Sequence, residues 1–131
     1  MQPKRDMDLI RDLLLKLEAW QMDMGDTVLI GPDDPGVAVP GYDTAQIEYH
    51  LSLLRSEGFI NCLGSQPMLG ITFSGLTWQG HDFLDSVRDD KIWAKTKQGA
   101  LAAGGFTFDL LKDLAKGFVK QQIKARTGVD L

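Results

Sequence analysis

An α+β fold that is mainly helical follows from three features of the sequence. Residues 42–60, YDTAQIEYHLSLLRSEGFI, read as a capped amphipathic helix that stops at Gly58 and hands over to a strand. A hairpin pattern follows, Asn61–Leu63 and Leu69–Phe73 around the turn Gly64-Ser65-Gln66-Pro67. Another amphipathic stretch, residues 4–24, comes first. This is the order of a winged helix-turn-helix-like core, three or more helices plus a small antiparallel hairpin, with a C-terminal helical extension. Residues 1–90 are expected to form the core and residues 91–131 the extension, a candidate dimerisation element.

Residues 4–24 carry Met7, Ile10, Leu14 and Leu17 on one helical face, widened by Leu13 and Trp20. Asp6 and Asp8 sit near the positive end of the helix dipole, where acids are favoured. Trp20, Met22 and Met24 are expected to fill the core, with a soft binding surface as the other reading. Thr27–Ile30 is a β-branched run fit for a short strand. The next stretch, GPDDPGVAVPGYD, holds too many prolines and glycines for a helix. The second helix of a standard winged helix is therefore expected to shrink to a turn or to give way to another arrangement, and Val37–Val39 to add a strand. The acidic DDPG lacks the alternating oxygen ligands and closing Glu of a calcium loop, so it reads as turn chemistry.

In the central helix Asp43 or Thr44 can cap, and Gln46, three after Asp43, suits a capping box where Glu48 does not. Ile47, Leu51 and Leu54 form the apolar face, and Gly58 can take the left-handed conformation that ends a helix. Ala45, Tyr49, Ser52 and Ser56 lie on the opposite face, which can enter a DNA groove or simply face solvent. Residues 76–90 read as the next helix, capped by Thr77, with Leu76, Trp78, Phe83, Leu84 and Val87 as its core stripe and Gly80 packed closely against another backbone. Residues 89–103 look like a connecting helix docked by Ile92 and Trp93, weakened by Gly99 and broken by Gly104-Gly105. The last helix spans residues 107–126, capped by Thr107 or Asp109. Its row Lys112, Lys116, Lys120, Lys124 and Arg126 makes a basic stripe suited to phosphates, an acidic membrane surface or the acidic half of a second subunit, or simply to solvent.

Charge is unevenly distributed. The chain of 131 residues carries a net −4, yet residues 1–87 hold five bases against thirteen acids, while residues 88–126 hold nine bases against four. Duplex binding draws on phosphate neutralisation, so an acidic core with no Arg or Lys in its wing turn is unlike a conventional repressor. The single cysteine, Cys62, cannot form an internal disulfide and has no nearby activating base, so it reads as structural. The N-terminus lacks an apolar targeting segment and no run is long enough to span a membrane, which predicts a cytoplasmic protein.

No nucleophile elbow, phosphate loop or metal-ligand cluster stands at informative spacing, so no enzyme, cofactor or metal is expected. The one Asp/His cluster is His81, Asp82 and Asp85. It reads as structural, with His81 hydrogen-bonded in the core and Asp82 or Asp85 paired with Arg88.

Three stretches carry a family resemblance. They are Lys4–Glu18, KRDMDLIRDLLLKLE; Tyr49–Ile60, of the form YHLxLLxxxGFI; and Leu76–Lys97, of the form LTWxGHDFLDxxRDDxxWxKTK. In this order they resemble a family of small bacterial and prophage-encoded proteins grouped as a domain of unknown function. The resemblance implies a bacterial or phage source and a winged-helix-like core, and no catalytic residue. It implies no established activity. From the winged-helix pattern the expected function is a non-enzymatic DNA-binding or regulatory module in which Gln46, Tyr49, Ser52, Arg55 and Ser56 meet duplex DNA. The other expectation is a protein-interaction adaptor without nucleic-acid binding. The last helix also suits a homodimer, and under the adaptor reading the acidic and basic halves meet within or between subunits.

Overall fold

A computed structural model describes residues 4–62, 67–102 and 107–129. The chain divides into two compact units, Met1–His81 and Asp82–Leu131.

The first unit opens with helix α1, Met7–Glu18. Asp6 caps it by accepting from the Asp8 and Leu9 amides. The helix is shorter than the expected 4–24 because the chain turns after Ala19 and the Trp20 ring lies against Gly36. A Cβ on Gly36 would stand 2.4 Å from that ring. Strand β1 is Val28–Ile30. The Pro/Gly-rich segment contains a single 3-10 turn, Pro35–Val37, in place of the expected strand at Val37–Val39. Asp34 accepts from the Gly36 amide and holds the turn, which buries Val37 and Val39 together. The missing second helix is thus reduced to one turn.

Helix α2, Thr44–Glu57, is capped by Asp43 and ends at Gly58 with φ 78°. Strands β2, Ile60–Cys62, and β3, Ile71–Leu76, follow. The antiparallel sheet has the order β1-β3-β2. Helix, strand, turn, helix and two wing strands make a winged-helix-like architecture. β3 runs later than the expected Leu69–Phe73, and Leu63 and the turn residues Gly64–Gln66 lie outside the described residues. One core fills the space behind the sheet. It combines Leu9, Ile10, Leu13, Leu14 and Leu17 of α1 with Ile47, Leu51 and Leu54 of α2 and Ile30, Ile71 and Phe73 of the sheet.

Leu76 ends β3 instead of opening the next helix. Helix α3 is Trp78–Val87, and Thr77 caps it by accepting from Gly80. Trp78, expected in the core stripe, is 88% exposed because it lies on the outer side of the first turn. The second unit contains α4, Asp90–Ala102, and α5, Phe108–Thr127. Asp89 caps α4 by accepting from Lys91 and Ile92. Thr107 caps α5, which ends at Gly128. Phe83, Leu84, Val87, Ile92, Trp93, Ala100, Leu111 and Ala115 are buried. Gly99 belongs to α4 and lets Leu114 pack against its backbone, with 3.3 Å to a notional Cβ. Gly104-Gly105 falls outside the described residues.

Candidate functional site

The candidate face is the outer side of α2 and the base of the wing. Its geometry begins at the helix cap. Asp43 accepts from the Gln46 amide at 2.8 Å, and the Gln46 side-chain oxygen accepts from the Asp43 amide at 2.9 Å. Gln46, expected to read DNA, thus commits its oxygen to the capping box. Tyr49 stands edge-on to His50, with ring centroids 5.4 Å apart. Ser52 donates its hydroxyl to the Tyr49 carbonyl at 2.6 Å. Ser56 is exposed and Arg55 half-buried.

Glu48 was not among the expected site residues, yet it shapes the site. Its carboxylate accepts from the Gly70 amide at 2.7 Å, tying α2 to the wing root. Gly70 has φ 89°, and a Cβ there would meet the Ile30 carbonyl oxygen at 2.1 Å. Only glycine lets the chain pass between Ile30 and Glu48. The result is a groove of about 470 Å³ beside α2, with Pro32, Ala45, Tyr49 and Leu69 as apolar walls and Glu48 at its polar edge. Next to it Met68 and Leu69 are 97% and 61% exposed. Among the described residues no lysine or arginine lines this groove.

A polar node behind this face holds α1 against α2. His50 is buried; its Nε2 accepts from the Asp6 amide at 2.8 Å while its Nδ1 donates to the Gln46 carbonyl at 2.7 Å. That pairing requires the neutral ring with its proton on Nδ1. Tyr42 donates its hydroxyl to Asp6 at 2.7 Å. This hydrogen bond, helped by burial and by the Asp6 charge, pushes the phenol up to about 12. The 44-residue separation of Asp6 from His50 leaves no local sequence signal for the node.

The other expected groups separate. His81 is half exposed and faces Glu18 at 3.8 Å, so it is not the core histidine expected. Asp85 pairs with Arg88 at 2.7 Å, as one of the two expected pairings had it. Asp82 instead meets Lys112 at 2.7 Å and Lys116 at 3.5 Å. The Lys112 hydrogen bond holds the Asp82 carboxyl below its usual range, and the same bond raises Lys112. The basic stripe therefore begins with two lysines gathered on one carboxylate, while Lys120, Lys124 and Arg126 are exposed further along α5. Burial pushes the Cys62 thiol up, against a smaller opposing effect of Arg55, which suits a structural thiol. Among the described residues no three His, Cys, Asp or Glu side chains converge as a metal site, and no helix is long and apolar enough to cross a membrane.

These features define a winged-helix-like protein with a mainly apolar groove, edged by a carboxylate, beside its second helix. The chain belongs to the family described as "Hypothetical protein (DUF2513)", whose model matches residues 4–106. That match includes all three of the stretches that carried the resemblance. It is also similar to an uncharacterized protein of Haemophilus influenzae, 32% identical over 123 residues, which cover 92% of this chain and 98% of the relative. No solved structure matches the chain.

Proposed function

We propose that this chain is a non-enzymatic regulatory module of bacterial or phage origin that binds a protein segment with the face formed by α2 and the wing root. The observation that carries this reading is the apolar groove held open by the Glu48–Gly70 bond, with Leu69 and Met68 exposed beside it. A contact surface for a protein wants an apolar centre with few charges. A surface for duplex DNA wants lysines and arginines against phosphate. Residues 1–81 hold five bases against eleven acids, a net of −6, and a carboxylate edges the groove. The test is to place a photo-crosslinking amino acid at Tyr49 in the host cell. One protein should be trapped reproducibly, and Leu69→Glu should abolish the adduct. Adducts to nucleic acid, or none at all, would overturn this reading.

Duplex DNA is the second reading, favoured by topology. α2 stands immediately before the wing, where winged-helix proteins place their reading helix, and Tyr49, Arg55 and Ser56 are on it. Under this reading Lys120, Lys124 and Arg126 supply phosphate contacts or flank a dimer seam on α5. Tyr49→Ala with Arg55→Ala would then weaken duplex binding without lowering the melting temperature.

A further inference from the structure

A separate cleft in the first unit lies where α1 ends, and it shares no residue with the α2 groove. Its volume is about 310 Å³. Leu17, Trp20, Met22 and Met24 contribute its apolar lining. The expectation that Trp20, Met22 and Met24 fill the core is overturned, since Met24 is fully exposed and Trp20 and Met22 are half-buried. The reason is the turn that follows the helix. Asp26 accepts from the Asp23 amide at 3.1 Å, and Gly25 at φ 86° swings Met24 outward. Trp20 does not collapse into the space, because part of its ring is seated against Gly36. The floor is open where Gly75 of β3 presents no side chain and a Cβ would meet nothing within 4 Å.

The polar lining has one sign. Glu18 and Asp23 line the cleft, and a shallower extension beside it adds Asp26. Among the described residues no lysine or arginine lines either space. The remaining titratable group is His81, 3.8 Å from Glu18. The C-terminal end of α1 adds the negative end of its dipole at the same place. Methionines form a lining that adapts to the shape of a guest, and an indole face attracts a cation.

We infer that this cleft docks a protein segment that presents a large apolar side chain next to a lysine or arginine. The apolar side chain enters between Met22 and Leu76, and the cation lies along Trp20 toward Glu18 and Asp23. This site stands independently of the α2 groove. The probe is the blocked peptide acetyl-Leu-Arg-Leu-Arg-amide, compared with its Glu-containing counterpart, titrated into the full chain and followed by amide and methionine-methyl NMR. The cationic peptide should shift the Trp20 indole N–H and the Met22 and Met24 methyls saturably, leaving Tyr49 and Leu69 unmoved. Combining Glu18→Gln with Asp23→Asn should weaken it about tenfold, on the order of 1.4 kcal/mol, with the fold unchanged by its amide spectrum. Equal shifts from both peptides, shifts indifferent to the double substitution, or no shifts would overturn the inference. Shifts that grow with protein concentration alone would replace the foreign segment with a second copy and overturn it too.

Discussion

Asp6 shows how much one side chain can hold. It caps α1, accepts the Tyr42 hydroxyl, and its own amide is satisfied by His50. Asp6→Ala removes the cap and orphans the phenol, so it should cost about 2 kcal/mol in urea unfolding, about half from each loss. His50→Leu should cost about 1–3 kcal/mol, because the Asp6 amide loses its partner in a part-buried place. Tyr42 offers a pH test. Its neutral form donates to Asp6, so its folded pKa is raised to about 12. The stability it adds is present below the ordinary tyrosine value of about 10 and lost as pH rises through 12. The chain has two tyrosines, and an ultraviolet titration should show Tyr42 ionising late, with Asp6→Ala removing the delay. Two ordinary titrations in the parent protein would refute the bond. The acid at position 6 could be read as a favourable helix-start residue, but its partners come from positions 42 and 50, which only folding brings near.

At the scale of elements, the glycines divide sharply. Gly80 in α3 would put a Cβ 2.0 Å from the Phe59 carbonyl oxygen, and backbone cannot retreat as a flexible side chain can. Gly80→Ala should therefore cost about 3 kcal/mol or more. Gly117 in α5 meets nothing, so Gly117→Ala should stabilise by about 0.5–1 kcal/mol through helix propensity. Thermal melts of the two variants should move in opposite directions. Within the second unit the Asp82–Lys112 pair adds a pH term. Asp82 has a lowered pKa, so its contribution is present above the ordinary carboxylate range and lost as pH falls through its depressed value. Asp82→Asn should flatten the acid limb of the stability curve, and an unchanged limb would show that the pair contributes nothing in solution. Local pattern was a good guide to α2, where the Asp43–Gln46 box and Gly58 stop appeared as expected. It misjudged the end of α1 and the start of β3, because Trp20 is claimed by Gly36 and Gly70 by Glu48, both far along the chain.

For the whole molecule, charge gives the two functional readings opposite predictions. Fluorescence anisotropy of mixed-sequence duplex DNA at low salt should show no binding with the purified protein, because an acidic first unit repels phosphate where attraction is least screened. Micromolar binding with a steep salt dependence would instead restore the DNA reading. The asymmetry was plain from the sequence. The distribution of the lysine row was not, because Asp82 gathers Lys112 and Lys116 while Lys120 lies exposed on α5.

Periodicity, caps and breakers by themselves determined the winged-helix-like order and most of the buried residues, since those signals act within a few positions and set which face of each helix is apolar. Tertiary structure alone decided the surfaces. Whether Trp20 packs inward and whether a groove opens beside Tyr49 depend on Gly36 and on the Glu48–Gly70 bond, which only folding brings to those places. A side chain's burial is a property of the neighbours that folding supplies, and those neighbours are absent from any local window of sequence.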